Sequence, residues 1–249
     1  MLIFFNLFNI KYMFSYYGSK TNLAKLYPAP KFNKLNEVFA GSAKYSLLHF
    51  ENDVTIVDKY ETIVNIWKWL QICSKNDILK LPSLKEGEKL TDFTFDCKEQ
   101  KDLMGFIISS GGQRPVNTAN WRETTHRPNS HNYRKKAIAD QLYKIKHWNI
   151  ILGDYRDLKN ENATWFVDPP YQFGGEHYVE SNKNINFKEL ASWCKSRKGQ
   201  TIVCENTKAD WMNFKPMRKN QGSSNTKTTE AIWSNGPTAF DWEQRSLFS

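Results

Sequence analysis

Apolar residues recur along the chain either in short continuous runs or at helical spacing, and the two patterns alternate. The runs predict strands at residues 35–40, 54–57, 149–152, 164–167 and 201–204. The helical spacing predicts helices at residues 42–50, 60–73, 98–109, 133–146 and 187–195. Two later strand candidates, which predict a closing hairpin, are residues 214–218 and 229–233. Strands that alternate with helices predict an α/β protein whose mostly parallel sheet keeps ligands at the carboxyl ends of its strands.

Two segments lack either pattern. Residues 77–98 are polar and rich in turn-forming residues, and residues 110–132 combine Gly, Pro, Asn and Arg without an apolar period. The second segment is predicted to be a long loop, and long loops in compact proteins are usually functional or disordered. No apolar stretch reaches the length of about 18 residues that a membrane-spanning helix requires, so none is expected.

Positive charge is concentrated in the middle of the chain. The 249 residues carry a formal net charge of +9. Residues 98–147 contain ten Lys and Arg against four Asp and Glu, so most of the net charge lies in one fifth of the length. Clustered cations are typical of a protein that binds a phosphate-bearing partner. A solvated basic face would look the same, and charge alone leaves both interpretations open.

Cysteine and histidine spacing gives no sign of a metal or redox site. Cys73, Cys97, Cys194 and Cys204 include no C-x-x-C pair, and the five histidines have no partners at metal-ligand spacing. We therefore expect reduced thiols and no metal, as is typical of a cytoplasmic protein. Residues 2–8 are apolar but lack a basic start and a small-residue cleavage site, so a secretory signal is not expected.

The most specific motif is the tetrapeptide Asp168-Pro169-Pro170-Tyr171, which directly follows the predicted strand 164–167. Two consecutive prolines offer no N–H groups, so they end the strand in a stiff exit at its carboxyl end. The Asp168 carboxylate and the Pro169 carbonyl then become neighbouring acceptors beside an aromatic ring. Two acceptors and a stacking ring suit a flat heterocycle that bears an exocyclic amine. The alternative, a Pro-Pro turn with a satisfied aspartate, fits most isolated D-P-P triplets.

Other predicted strand ends carry features of a nucleoside-cofactor site. The strand 35–40 leads through a glycine turn at Gly41 into a helix, whose N-terminus offers free N–H groups. Asp58 ends the next strand, 17 positions after Gly41, and an acid near that spacing typically hydrogen-bonds ribose hydroxyls. Taken alone, Asp58 is more simply a helix N-cap. Asp154 supplies one more acid at a strand end.

Taken in order, these residues resemble the Dam-like DNA adenine N6-methyltransferase family, whose hallmark is D-P-P-Y. That family has an aromatic–glycine–lysine segment, an F-x-G-x-G-like loop, an acid after the next strand, a target-recognition insert and then D-P-P-Y. The resemblance spans residue 14 to about residue 233. Val38 replaces a common Pro, Ala43 replaces a usual second Gly, and residues 1–12 have no counterpart.

The resemblance implies a Rossmann-like, S-adenosylmethionine-dependent methyltransferase sheet with an inserted target-recognition region. The catalytic domain would comprise residues 13–75 and 148–240, and the DNA-binding insert would be residues 76–147. Residues 1–12 would be an N-terminal extension, and residues 241–249 a C-terminal tail. Such a protein would act in the cytoplasm of a bacterial or phage-infected cell, in association with the nucleoid.

The resemblance also assigns roles to single residues. Lys20 would pair with the methionine carboxylate, Asp58 would bind the ribose, and Asp154 and Tyr155 would border the adenine of the cofactor. The implied cofactor-binding set is Tyr16, Gly18, Lys20, Phe39, Gly41, Ser42, Asp58, Asp154, Tyr155 and Asp168. The implied catalytic set is Asp168, Pro169, Pro170 and Tyr171. Hydrogen bonds from the substrate amine to Asp168 and Pro169 would localise the nitrogen lone pair.

Double-stranded DNA is the partner that the resemblance implies, with the target base flipped out of the helix. The expected DNA contacts are Arg114, Trp121, Arg122, Arg127, Arg134, Lys135 and Lys136. An N4-cytosine methyltransferase and a non-catalytic DNA-binding protein remain alternatives, although Asp rather than Ser before Pro-Pro favours adenine. A metal-dependent nuclease is disfavoured, because Glu205 lacks the expected Lys two positions later.

The tail from Gln244 to Ser249 ends in an apolar Leu-Phe pair. It resembles the short Q-x-S-L-F peptide with which bacterial DNA-processing proteins dock on the sliding clamp. Gln244, Leu247 and Phe248 would then be the clamp contacts. The alternative, that Leu247 and Phe248 fold back onto the sheet, is slightly favoured because a stable monomer normally avoids exposed apolar anchors.

Overall fold

The computed structural model describes residues 13–109, 111–119, 130–221 and 227–236. Several residues singled out in the sequence therefore lie outside the described ranges: residues 1–12, Trp121, Arg122, Arg127, Gln244, Leu247 and Phe248. The division of the chain into catalytic domain, insert and tail stays a prediction.

A seven-stranded sheet organises the fold. Its strands are β1 (Lys34–Val38), β2 (Asp53–Asp58), β3 (Asn149–Leu152), β4 (Ala163–Val167), β5 (Gly199–Asn206), β6 (Lys215–Gln221) and β7 (Lys227–Ser234). Their order is β3-β2-β1-β4-β5-β7-β6. The first five run parallel, and β7 pairs antiparallel with both β5 and β6. The predicted Rossmann-like α/β sheet and its closing hairpin are thus confirmed, and the strand order reverses between β1 and β4, where such sheets bind ligands.

Six α-helices complete the described part of the chain. They are α1 (Lys44–Leu48), α2 (Glu61–Ile72), α3 (Lys75–Leu79), α4 (Lys98–Ile107), α5 (Ser130–Ala139) and α6 (Phe187–Ser196). Short 3-10 helices occur at Ala24–Leu26, Leu90–Asp92, Leu142–Ile145, Tyr155–Asp157 and Asn182–Asn184. The predicted helices are present, but most are one to three residues shorter at their ends, where helices lose their hydrogen-bond partners.

Two helices differ from the prediction by more than their ends. The predicted helix 133–146 is split into α5 and a 3-10 helix, and the Gln141 side chain donates to Ala137 O at 2.9 Å near the break. A side chain that bonds the backbone in this way competes with continuation of the helix. Helix α3 was not predicted. A capping box starts it, because Ser74 accepts from Asp77 N and Asp77 accepts from Ser74 N.

Apolar layers cover both faces of the sheet, and strand residues alternate between them. Helix α2 buries Ile63, Ile66, Trp67 and Leu70 on one face, as their spacing predicts. On the opposite face, α6 packs on the valines of β1, β2, β4 and β5. Burial on both faces is what continuous apolar runs in a parallel sheet indicate.

Two expectations from composition can be compared with the structure. In the described ranges, no helix combines the length and the apolar character needed to cross a membrane. All four cysteines are free thiols, as expected, and three of them are buried.

Candidate active site

Many of the predicted site residues come from four strand ends that meet at one edge of the sheet, and Tyr16, Gly18 and Lys20 come from the segment before β1. Strands β3, β2, β1 and β4 are parallel neighbours, so their carboxyl ends lie side by side. Phe39 follows β1, Asp58 ends β2, Asp154 follows β3 and Asp168 follows β4. The sheet therefore brings together residues that are up to 129 positions apart, the separation of Phe39 and Asp168.

The glycine turn after β1 is strained and held in place from two sides. Phe39, Gly41 and Ala43 have φ values of 58°, 48° and 45°, in the left-handed region. This conformation costs a non-glycine residue roughly 1–2 kcal/mol, so Ala43 retains the geometry of the usual second glycine at some expense of stability. Gly41 N donates to Asp58 Oδ2, and Trp67 Nε1 donates to Gly41 O, both at 2.8 Å.

Gly41 cannot be replaced without movement of its neighbours. A Cβ atom at Gly41 would lie 2.9 Å from Cδ1 of the Tyr16 ring. Tyr16 is itself buried against the rings of Phe106 and Tyr60. The close approach of ring and backbone explains why glycine is required at this position.

Asp58 joins the end of β2 to two neighbouring segments. Its Oδ2 accepts from Gly41 N and its Oδ1 accepts from Tyr60 N, each at 2.8 Å. Burial raises the pKa of Asp58, and these backbone N–H groups oppose that rise. The N-cap of α2 is Tyr60 and not Asp58, so the simple N-cap alternative does not hold, although the bond from Tyr60 N gives Asp58 a structural role just before the helix. Each carboxylate oxygen nevertheless has a second lone pair, so Asp58 can also accept from a ligand.

A cavity of about 240 Å³ opens beside Asp58. Phe39, Asp58, Asp154 and Tyr155 line it, and the rings of Phe39 and Tyr155 pack together with centroids 5.4 Å apart. Burial would raise the pKa of Asp154, but hydrogen bonds from Arg156 and Lys59 lower it well below the usual range. The cavity thus combines an aromatic wall with the carboxyl groups of Asp58 and Asp154, of which Asp154 is ionised, and this combination suits a nucleoside.

A smaller cavity of about 30 Å³ adjoins the first and shares Phe39 with it. Its lining includes the remaining predicted cofactor residues: Tyr16, Gly18, Lys20, Gly41, Ser42 and Asp168. A volume of this size holds about one water molecule. Tyr178 also lines this cavity. Its hydroxyl oxygen lies only 1.7 Å from the position that a Cβ atom on Gly18 would occupy, so the Tyr178 side chain packs directly against Gly18. An amino acid group is larger than this volume, so its binding would require lining side chains such as Tyr178 to move.

Asp168 and Lys20 form an ion pair at the wall of the smaller cavity. Lys20 Nζ lies 3.1 Å from Asp168 Oδ1, although the angle is not that of a hydrogen bond, and 4.4 Å from the centre of the Tyr171 ring. Burial raises the pKa of Asp168 to about 6, with Lys20 lowering it and Glu230 raising it further. The carboxylate is therefore largely ionised at neutral pH.

Glu230 is a site residue that the sequence analysis missed. It lies on β7, is 5 % exposed, and accepts hydrogen bonds from Tyr27 Oη at 2.8 Å and Tyr171 Oη at 2.5 Å. Its Oε1 is also 3.7 Å from Lys20 Nζ. The available signal was an acid inside the apolar strand pattern 229–233, which requires a buried partner.

The described cations of the basic segment have mixed environments. Lys135 is only 4 % exposed, and its Nζ donates to Leu81 O at 2.6 Å and Ser83 Oγ at 2.9 Å. Burial lowers the pKa of Lys135. Its ammonium group is thus bonded to the segment from Leu81 to Ser83 and is not presented to solvent in this structure, while its role as a DNA contact stays a prediction. The sequence could not reveal the burial of Lys135, because the identity of a charged residue does not indicate which segment packs against its side of the helix.

The other three described members of the predicted DNA-contact set differ in their exposure. Arg134 is half-buried and donates from Nη1 to Ile107 O. Lys136 is exposed and pairs with Asp140 at 3.2 Å, one helical turn away. Arg114 is exposed. Arg114 and Lys136 are therefore the predicted DNA contacts that the described surface presents to solvent. Within the described ranges, no group of three or more His, Cys, Asp and Glu side chains is arranged to hold a metal ion.

Comparisons with known proteins give a distant structural match. No family model and no curated protein matches the chain. Among solved structures, the chain is similar to the crystal structure of "putative methylase HI0767" from Haemophilus influenzae. The alignment covers 82 % of this chain and 87 % of the other, with 11 % identity and a TM-score of 0.35. Similarity at this level carries no information about activity.

Proposed function

We propose that the protein is an S-adenosylmethionine-dependent DNA methyltransferase that acts on the N6 amine of adenine. The observation that carries the proposal is the position of Asp168-Pro169-Pro170-Tyr171. This tetrapeptide follows β4 and adjoins a cavity whose other walls are a strained glycine turn and Lys20. Fixed acceptors at this small cavity, which adjoins the larger cavity beside Asp58, suit transfer of a small group to an exocyclic amine.

The polar, charged and aromatic groups that line the two adjoining cavities match the chemical groups of the cofactor. Bound S-adenosylmethionine would supply a methyl group carried on a sulfonium. Asp58 would accept hydrogen bonds from ribose hydroxyls, and Asp154 and Tyr155 would border the adenine ring. Lys20 would pair with the carboxylate of the amino acid end. The mixture of ammonium and carboxylate groups around the smaller cavity suits a zwitterion, once Tyr178 has moved aside.

The substrate amine would be oriented by acceptors of this chain. The ionised Asp168 carboxylate and the Pro169 carbonyl would each accept one N–H bond from the amine. Both bonds would favour a localised lone pair on a nitrogen whose electrons are otherwise delocalised into the ring. Because the amine is inaccessible in duplex DNA, the base would be flipped out, at a cost of a few kcal/mol. Tyr171 would place its ring against the flipped base.

The test is transfer of a labelled methyl group from S-adenosylmethionine to unmodified duplex DNA, followed by base analysis of the product. N6-methyladenine is the expected product. N4-methylcytosine alone would favour the cytosine alternative, since that target is also an exocyclic amine. DNA binding with no transfer and no cofactor binding would instead favour a non-catalytic DNA-binding protein.

DNA affinity is expected to depend steeply on salt, because phosphate contacts release counterions. Arg114→Ala and Lys136→Ala should each flatten the plot of log affinity against log salt by about 0.9, the contribution of one contact. Lys34→Ala is the matched control, since Lys34 is partly exposed and begins β1 at the opposite edge of the sheet. Fluorescence anisotropy with labelled duplex at several salt concentrations would measure the slopes. Equal slopes for all four proteins would mean that neither Arg114 nor Lys136 contacts a phosphate and that these two cations belong to a solvated basic face.

A further inference from the structure

We propose that Glu230 is a positioning residue that sets the charge balance and the ring orientation of the Asp168–Tyr171 motif through Lys20 and Tyr171. The proposal rests on the proposed function for its catalytic meaning. It adds a residue on β7, outside every motif of the resemblance, to the site.

The geometry places one buried carboxylate in contact with three elements of the site. Glu230 Oε1 accepts from Tyr171 of the tetrapeptide and from Tyr27 of the N-terminal segment, and it faces the Lys20 ammonium at 3.7 Å. A buried carboxylate is costly unless its oxygens are bonded or paired. Movement of Tyr27, Tyr171 or Lys20 away from Glu230 would leave this buried carboxylate with fewer partners, so the carboxylate restrains all three side chains.

Tyr171 is fixed in two ways by this arrangement. Its hydroxyl donates to Glu230, and the Lys20 ammonium lies over its ring. The side chain can then swing away from this position only if a buried hydrogen bond to a carboxylate breaks, and such bonds contribute about 1.5–3 kcal/mol. The contact between Tyr171 and a base therefore depends on a residue that does not touch the base.

Lys20 is shared between two carboxylates, and this links Glu230 to Asp168. Its Nζ is 3.1 Å from Asp168 and 3.7 Å from Glu230. Other titratable groups around Asp168 come from β1, β5 and the tyrosine-bearing loops: Glu37, Cys204, Glu205, Tyr27, Tyr171 and Tyr178. After burial, the pKa of Asp168 responds to Lys20, which lowers it, and to Glu230, which raises it. Removal of the Glu230 charge should thus lower the pKa of Asp168.

Glu230→Gln tests the inference, because glutamine keeps the shape and one oxygen acceptor but removes the charge. Methyl transfer needs ionised Asp168, so kcat/KM should fall as the pH drops through about 6 in the wild type. In Glu230→Gln, the acid limb of the profile of kcat/KM against pH, which is the part that falls as the pH drops, should move to lower pH by roughly 0.5–1 unit. Tyr27→Phe is the matched control: it removes one donor to the same oxygen without changing a charge, so the limb should stay in place.

A second measurement does not depend on activity. The carboxyl carbon of Asp168, assigned by its loss in Asp168→Asn, can be titrated by NMR in protein labelled with ¹³C-aspartate. The midpoint should be near 6 in the wild type and lower in Glu230→Gln. An unchanged midpoint would overturn the inference whether or not the protein methylates DNA. A shifted midpoint in a protein without methyl transfer would support the link between the two residues while refuting the proposed function.

Discussion

Asp168→Asn is expected to lower the rate of methyl transfer by roughly 10²–10³-fold, the effect of removing a preorganised electrostatic contact from an active site. Asparagine has nearly the same size, but it presents an N–H₂ group in place of one acceptor oxygen. It also leaves the Lys20 ammonium with Glu230 as its remaining carboxylate partner. The loss should appear in single-turnover rates measured with saturating cofactor and DNA.

The control for this variant is Glu161→Gln. Glu161 is a partly exposed acid that pairs with Lys34 at the amino edge of the sheet. Its substitution should leave the rate within about twofold of the wild type, since surface ion pairs contribute little. DNA and cofactor binding by Asp168→Asn should be measured separately, so that lost chemistry is distinguished from lost binding. Transfer by Asp168→Asn at the wild-type rate would refute the assigned site.

Asp58→Ala is expected to weaken cofactor binding by about 100-fold and also to lower the free energy of unfolding. The affinity should fall because the acceptor for the ribose hydroxyls is removed, and hydrogen bonds to a charged group contribute about 1.5–3 kcal/mol. Stability should fall by roughly 1–3 kcal/mol, because Gly41 N and Tyr60 N lose their shared partner. Calorimetric titration with cofactor and denaturant unfolding would measure the two effects.

Asp53→Ala is a matched control for that experiment. Asp53 begins the same strand that Asp58 ends, and it is exposed at the opposite edge of the sheet. Both affinity and stability should remain close to those of the wild type. If Asp58→Ala lowers stability but binds the cofactor normally, Asp58 is a structural cap of the glycine turn and α2, and the ribose assignment fails.

The sequence could predict the strands and the strand-end residues because both follow from local pattern. A parallel sheet buried on both faces requires continuous apolar runs, and it aligns the carboxyl ends of neighbouring strands. Phe39, Asp58, Asp154 and Asp168 therefore had to lie near one another once the sheet was assumed. The resemblance added the roles of these residues, and those roles remain predictions.

Residues positioned by long-range packing could not be predicted in the same way. Glu230 reaches the site because β7 inserts between β5 and β6, and no local signal specifies that insertion. Tyr178 lies against Gly18 through the path of the loop after Tyr171. Lys135 is buried because its helix face meets the segment from Leu81 to Ser83. Charge and hydropathy describe a residue, but not its eventual neighbours.

The bond between Tyr27 and Glu230 joins positions 203 residues apart, which has a consequence for synthesis on the ribosome. At about 5–20 residues per second, roughly 10–40 s pass between translation of the two positions. Lys20 is present throughout that interval, and Asp168 and Tyr171 are added during it, but the carboxylate that contacts both Lys20 and Tyr171 is still missing. A chain stalled before β7 would contain β1 to β6, with β6 lacking β7 as its pairing strand, so premature termination there would yield chains that lack the complete ion cluster.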